Sequence, residues 1–361
     1  MTQDNDDVAA ISQRGYQLLR ENALSEAIAE FGRVLEREPG NCYALVGIGD
    51  AARKQRNFAL AIDRYQECLD HDPENTYALF GLADSFKSLK QYNKSIEAWE
   101  RYLQLDSSNV TVLTRVADVY RKIKDRDRAY ELYQSVLRIE EENPYALIGL
   151  AHLHYDFREY EEALSYWERM YEHDGEKVDI RVLTSLGNCH RKLKRFREGL
   201  PFFEQAIERE PGNFYALFGL ADCYRGLNDP ARSLEYWSEI LETDPENKVI
   251  LTRAGDAHRA LGDFDSAEES YRKALSIDFD LYAVLGIALI NRKRGKPEEA
   301  VRELLDLAER EPRNPRVFQE LAQAHLQAGR PEEALAVLKE FRKTGIHNAF
   351  IDEMMSRIER D

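Results

Sequence analysis

Small, apolar and polar positions recur along the chain with a period of 34 residues. Residues 41–50 return as residues 75–84, and related runs begin at residues 143, 213 and 280. A fixed period of about 20 to 50 residues is typical of proteins built from one repeated supersecondary unit. The period predicts ten repeats over residues 8–348, whose first residues are Val8, Cys42, Thr76, Val110, Pro144, Ile180, Phe214, Lys248, Leu281 and Pro315.

Each position of the repeat holds one type of side chain. Position eight is glycine or alanine throughout, and position twenty is alanine, serine or glycine. Because small residues let two helices approach closely, this spacing predicts two packed helices in every repeat. Position twenty-four carries a large side chain: Phe31, Tyr65, Trp99, Tyr133, Trp167, Phe203, Trp237, Tyr271, Leu304 and Leu338. Proline at position thirty-two of five repeats is expected to end the second helix: Pro39, Pro73, Pro211, Pro245 and Pro312.

This pattern of two small residues, an aromatic residue and a proline resembles that of the tetratricopeptide repeat family, over nearly the whole chain. The resemblance implies an all-α fold. Helix-turn-helix units would stack into one right-handed superhelical solenoid, and the first helix of each unit would line a concave groove.

The two ends of the chain lie outside the repeats. Residues 1–7 are predicted to be a polar tail. Residues 349–361 carry apolar side chains at helical spacing and are predicted to be a helix that caps the last repeat. Two extra residues fall within residues 175–179, where we expect a variation in a loop.

The charge of the chain narrows the possible partners. Its formal net charge is −16, the wrong sign for a surface that neutralises phosphates. Nucleic acid and membranes are therefore not expected as partners, and charge disfavours an RNA-reading helical repeat as the alternative fold. Four widely spaced cysteines and an acidic amino terminus without an apolar run favour reduced thiols and a cytoplasmic location.

A longer period of two repeats is superimposed on the 34-residue period. Tyr-Ala-Leu or Tyr-Ala-Val opens repeats three, five, seven and nine, and tryptophan occupies position twenty-four of three of these four. Repeats four, six and eight instead carry threonine at position five. The alternation predicts that aromatic and polar groups of side chains alternate along the groove, one group in each repeat.

In the family, positions two, five, nine, twelve and thirteen of the first helix commonly face the groove. Position nine is mostly acidic here and position twelve mostly basic. Side chains three apart share a helix face, so these rows either pair with each other or bind a ligand. The resemblance implies a partner-binding groove that includes Tyr77, Phe80, Asp84, Asp118, Arg121, Tyr145, Ile148, Asn188, Arg191, Tyr215, Phe218, Asp222, Arg225, Thr252, Asp256 and Arg259. The alternative for the tyrosines is that they pack against a neighbouring helix.

The pattern indicates binding rather than catalysis. No phosphate-binding loop or nucleophile motif is present, and we predict no enzyme activity, cofactor or metal. The histidines at position eleven, His154, His190, His258 and His325, are interpreted as packing residues. The function expected first is a scaffold or adaptor for a protein or peptide partner. The alternatives are a regulatory or substrate-selecting subunit of an enzyme complex, and a self-assembling oligomer.

Overall fold

The computed structural model describes residues 2–360, apart from the side chains of residues 2–7, 174 and 176. Over this range the chain forms 21 α-helices and one short 3₁₀ helix, Gly175–Lys177, and no strand. The helices are α1 Thr2–Arg20, α2 Leu24–Arg37, α3 Cys42–Lys54, α4 Phe58–His71, α5 Thr76–Ser88, α6 Tyr92–Leu105, α7 Val110–Lys122, α8 Arg126–Ile139, α9 Pro144–Asp156, α10 Tyr160–Asp174, α11 Ile180–Lys192, α12 Phe196–Arg209, α13 Phe214–Gly226, α14 Pro230–Thr243, α15 Lys248–Leu261, α16 Phe264–Ile277, α17 Leu281–Lys293, α18 Pro297–Arg310, α19 Pro315–Gln327, α20 Pro331–Arg342 and α21 Ala349–Ile358.

The ten repeats are ten pairs of helices, α1 with α2 through α19 with α20, followed by α21. Residues 1–7 are predicted as a polar tail, and α1 begins at Thr2 within this segment. Residue 1 and the side chains of residues 2–7 lie outside the described part of the chain.

The chain divides into two compact units, residues 1–174 and residues 175–361. The boundary coincides with the two-residue insertion, where the 3₁₀ helix lies. Within each unit the two helices of a repeat pack together, and the second helix packs on the first helix of the next repeat. First helices of successive repeats also contact each other, as α3 with α5 and α7 with α9 in the first unit, and α11 with α13 and α15 with α17 in the second. The chain is therefore an all-helical repeat solenoid within each unit.

Most first helices begin at an asparagine that caps them. The Asn75 side chain accepts a hydrogen bond from the backbone N–H of Ala78 at 3.0 Å, and Asn213 does the same for Ala216 at 3.1 Å. Such a cap satisfies one of the backbone donors that a helix start leaves open, and losing it costs about 1 kcal/mol. The same asparagine appears once per repeat in most of the chain, so it fixes where each first helix starts.

The turn inside each repeat requires a left-handed backbone at position fifteen. Glycine takes this position in the last three repeats, for example Gly262 with φ +81°. Seven earlier repeats use asparagine, lysine or arginine there, at some cost in strain: Asn22, Arg56, Lys90, Lys124, Arg158, Lys194 and Asn228.

The aromatic ring at position twenty-four lies between two first helices. Where the ring is phenylalanine or tyrosine, glycine stands at position six of the next repeat, as Gly149 does beside Tyr133. A Cβ atom on Gly149 would lie 2.2 Å from Cε1 of the Tyr133 ring. The ring therefore excludes any side chain at that position, which links the residue types of neighbouring repeats.

Candidate protein-binding surface

The tyrosines at position two point into solvent from the first helices. The exposed fraction is 77% for Tyr77, 70% for Tyr145 and 68% for Tyr215. Tyr43 and Tyr282, at the same position of repeats two and nine, are also exposed. These rings are not packed between helices, so the alternative interpretation of the tyrosines is wrong. The sequence analysis did not assign Tyr43 to the groove, although its Tyr-Ala-Leu run repeats the signal.

Position five lies deeper on the same helix face. Phe80, Ile148 and Phe218 are half-buried, and Thr252 is buried. Positions two, five and nine are three and four residues apart, so they follow one face of a helix. We give the name first-helix surface to the surface formed in each unit by positions two, five, six, nine and twelve of the first helices.

In the second unit, three arginines meet one carboxylate on the first-helix surface. Asp222 of α13 accepts hydrogen bonds from Arg191 of α11 at 2.7 Å, from Arg225 at 2.7 Å and from Arg253 of α15 at 3.3 Å. The guanidinium carbons of Arg191 and Arg253 lie 5.8 and 5.3 Å from the centre of the Phe218 ring. We call these five residues the Asp222 cluster.

The Asp222 carboxylate is buried, with 8% of its side chain exposed. Burial raises its pKa, but the hydrogen bonds and charges of Arg225 and Arg191 outweigh burial and leave the pKa below the ordinary value. The carboxylate is therefore ionised at neutral pH and holds three first helices together. A buried, shared ion group of this kind differs from a row of solvated surface pairs.

The first unit contains a similar group around Asp84 of α5. Arg115 of α7 donates to both oxygens of Asp84, at 2.8 and 3.0 Å, and its guanidinium carbon lies 5.0 Å from the centre of the Phe80 ring. Arg53 of α3 makes longer contacts of 3.5 Å with Asp84 and with Asp50. We call Arg53, Phe80, Asp84 and Arg115 the Asp84 cluster.

Repeats two, four and eight have tyrosine at position twenty-four, and we call them tyrosine repeats. Their acidic residue at position nine has a different partner. The hydroxyl groups of Tyr65, Tyr133 and Tyr271 donate to the position-nine carboxylates of their own repeats at 2.7, 2.6 and 2.8 Å. Burial raises the pKa of all three phenols, and the nearby carboxylates raise it further. The carboxylates that accept these bonds are Asp50, Asp118 and Asp256.

The predicted acidic and basic rows pair with each other, both within a helix and between repeats. Asp222 pairs with Arg225 and Asp256 with Arg259, three residues apart as the spacing predicts. Arg121 does not pair with Asp118; it reaches Asp156 of the next first helix at 3.0 Å.

The sequence analysis missed the two arginines at position six, Arg115 and Arg253. The available signal is the replacement of glycine at that position in repeats that follow Trp99 and Trp237. Among the other predicted groove residues, Asn188 accepts from Arg191 at 2.9 Å, and Thr252 donates to the backbone oxygen of Lys248 at 3.1 Å.

The prediction that all four histidines at position eleven are packing residues is confirmed for three of them. His154, His190 and His325 are buried, and the imidazoles of His154 and His190 stack on Tyr166 and Phe202 with ring centres 5.5 Å apart. His258 is partly exposed and faces Asp263 at 3.4 Å.

Within residues 2–360, no helix has the length and apolar character that crossing a bilayer requires.

Solved structures of repeat proteins resemble the chain. The C-terminal part of a tetratricopeptide repeat protein from Cytophaga hutchinsonii is 15% identical with a TM-score of 0.57, over 67% of this chain and 98% of that one. PilF of Pseudomonas aeruginosa is 20% identical with a TM-score of 0.49, over 59% and 96%. YrrB, described as a tetratricopeptide repeat protein with an unusual peptide-binding site, is 20% identical with a TM-score of 0.45, over 53% and 97%. The first of these supports the fold.

Sequence comparison gives the family. No curated protein matches the chain. Four family models, each described as a tetratricopeptide repeat, match residues 13–63, 46–110 and 184–248, residues 112–144, residues 250–281 and residues 292–344. The matches fall in both units and agree with the helix pairs described above. The chain belongs to the tetratricopeptide repeat family.

Proposed function

We propose that this chain is a scaffold or adaptor in the cytoplasm, without catalytic activity of its own, that binds an extended or helical segment of a partner protein on its first-helix surface. Tetratricopeptide repeats support a role in protein interaction generally. The observation that carries the finer proposal is the row of large tyrosine rings left exposed at one position of the repeat.

Exposed aromatic rings are suited to this role. Tyrosine offers a large apolar area and a polar tip, and few rotatable bonds need to be ordered when a partner binds. Rings at the centre of an interface commonly supply most of the binding free energy. Beneath Tyr215 and Tyr77, the half-buried Phe218 and Phe80 extend the apolar strip, and the arginines beside them offer hydrogen-bond donors.

The test is a pair of alanine substitutions in the full chain, Tyr145→Ala and Tyr215→Ala, one in each unit. We expect both together to reduce the recovery of bound partner proteins by more than about tenfold in affinity purification with quantitative mass spectrometry. Helical content, measured by circular dichroism, is expected to stay unchanged because both rings are exposed.

The matched control replaces two exposed aliphatic residues of second helices, Ile139→Ala and Leu305→Ala. These changes are expected to leave partner recovery at its original level. Equal recovery by the tyrosine variant and the control would contradict the proposal. Light scattering on the same samples separates a foreign partner from a second copy of the chain, because self-assembly gives a mass that rises with concentration.

A further inference from the structure

The Asp222 cluster has more positive than negative charge. Three guanidinium groups face the single carboxylate of Asp222, and Asn188, the other acceptor of Arg191, is neutral. Arginine stays protonated in proteins, so the three arginines exceed the single carboxylate by two charges. Asp256 also acts on Arg253, but it is paired with Arg259. The chain as a whole has a net charge of −16. The cluster is therefore opposite in sign to the molecule that carries it.

The extra arginine groups are accessible and hold unused donors. The exposed fraction of the side chain is 54% for Arg225 and 30% for Arg253. Within the described part of the chain, the Nε atom of Arg253 has no hydrogen-bond partner but is itself buried, so the terminal nitrogens of the guanidinium are the ones left for a ligand. A guanidinium has five N–H donors in a fixed fork, and the contacts with Asp222 use only some of them. The remaining donors can reach a ligand without displacing Asp222.

Apolar rings surround these donors. The guanidinium carbons of Arg191 and Arg253 lie 5.8 and 5.3 Å from the centre of the Phe218 ring, and this ring makes an edge contact with Trp237 at 5.1 Å between ring centres. Stacking on rings fixes the plane of a guanidinium and lowers the entropy lost on binding. Tyr215 lies three residues before Phe218 on the same face of α13, and its ring is exposed. The site thus combines fixed cationic forks with an apolar strip.

We infer that the Asp222 cluster binds an aspartate or glutamate side chain of the partner segment, and that Tyr215 and Phe218 hold an apolar residue next to it. The inference rests on the proposed function, because it names the chemistry of the segment that the first-helix surface binds. Arginine binds carboxylates through two parallel hydrogen bonds, about twice as strong as bonds between neutral groups. The charge excess makes an acidic segment the complementary partner.

The Asp84 cluster is a second, weaker site of the same type. It has two arginines instead of three, and Arg53 is shared between Asp84 and Asp50. With Asp50 counted, two arginines face two carboxylates, so the Asp84 cluster has no charge excess and is expected to bind an acidic side chain less tightly than the Asp222 cluster.

The experiment measures binding of synthetic peptides to the full chain. The peptides contain a fixed leucine beside a central glutamate, glutamine or lysine, and their flanking positions are randomised across the set. We expect glutamate peptides to be retained in preference to the other two. Binding is expected to weaken when salt is raised from about 0.1 to 1 M, since salt of that strength screens charges beyond about 3 Å.

Arg225→Gln is the informative variant, because Asp222 keeps two arginine partners when Arg225 is lost. Its affinity for the best glutamate peptide is expected to fall about tenfold, the effect of losing a charge-assisted hydrogen bond. Arg225→Lys keeps the charge without the fork and is expected to lie in between. Arg272→Gln removes the same charge from a second helix and is expected to have no effect. Arg115→Gln is expected to cause a smaller loss than Arg225→Gln.

The possible failures are distinguishable. Equal binding of glutamate and glutamine peptides, with Tyr215→Ala weakening both, would overturn the acidic preference and leave the proposed function intact. A preference for lysine would also overturn it. If no peptide is retained, segment binding itself fails. A third outcome is that the chain retains an RNA oligonucleotide, that Arg225→Gln abolishes this retention, and that glutamate peptides are not preferred. The cluster would then bind phosphate groups and not carboxylates.

Discussion

The acidic residue at position nine has different hydrogen-bond partners in repeats with tyrosine and in repeats with tryptophan at position twenty-four. In the tyrosine repeats the phenol of the second helix donates to the acid, as Tyr271 does to Asp256. In repeats three and seven tryptophan replaces tyrosine, and the acids Asp84 and Asp222 bind arginines from neighbouring first helices instead. The acids of the tryptophan repeats are buried and need a partner, whereas Asp256 is partly exposed.

The difference accounts for the residue type at position six. A tyrosine or phenylalanine ring fills the space at position six of the next repeat, so only glycine fits there, as Gly286 does beside Tyr271. After Trp99 and Trp237 this position is Arg115 or Arg253, and each arginine reaches back to the acid. Tryptophan occupies position twenty-four in repeats three, five and seven. An arginine cluster is present in the two of these repeats that keep the acid, repeats three and seven. Repeat five lacks the cluster because His152 stands in place of the acid and Ser185 stands in place of the arginine at position six of the next repeat. His152 contacts Trp167 at 5.1 Å between ring centres.

The largest expected effect comes from removing the acid of a tryptophan repeat. Asp222→Ala leaves three arginines facing each other, and we expect it to lower the free energy of unfolding by about 3 kcal/mol. Asp256→Ala, in a tyrosine repeat and more exposed, is expected to cost about 1 kcal/mol. Urea denaturation of both variants gives the comparison. Equal losses would mean that the two kinds of repeat do not differ in how they hold the acid.

Next in size is the effect of filling the space beside a tyrosine ring. Gly149→Ala places a Cβ 2.2 Å from the Tyr133 ring, and we expect a loss of about 2 kcal/mol because the ring must move. Gly32→Ala is the control: its Cβ has no atom within 4 Å, and alanine in a helix interior is expected to stabilise by about 0.5 to 1 kcal/mol. Thermal unfolding of both variants checks the opposite signs.

The smallest effect is at alkaline pH. Burial and Asp256 raise the pKa of Tyr271 in the folded chain, so folding stability from this phenol is present below its unfolded pKa of about 10 and is lost as pH rises above it. Tyr271→Phe removes the titrating group and one hydrogen bond, and is expected to cost about 1 kcal/mol at pH 7. Its stability should then fall less between about pH 9 and 11 than that of the original chain. A parallel decline in both proteins would contradict the assignment.

Much of the fold follows from the sequence alone. The 34-residue period, the small residues at positions eight and twenty and the ring at position twenty-four place the helix pairs, because their packing is local and repeated. The start of α1 at Thr2 does not follow, since residues 2–7 precede the first repeat and lie outside the periodic pattern.

The candidate site is less predictable. Asp118 and Arg121 are spaced for an ion pair within one helix, but Arg121 pairs with Asp156 of the next repeat. The sequence is compatible with both ion pairs and does not decide between them. Arg115 and Arg253 stand at a position that is glycine in half of the repeats, so their role depends on the tryptophan before them. The binding role of the groove residues stays a prediction.

Converting repeat seven into a tyrosine repeat tests the central claim most directly. The variant Trp237→Tyr with Arg253→Gly reproduces the residue pair seen at Tyr133 and Gly149 and gives Asp222 a phenol in place of an arginine. We predict unchanged helical content by circular dichroism and an affinity for glutamate peptides lowered about tenfold. Unchanged affinity in the folded variant would contradict the claim that tryptophan repeats build the binding clusters.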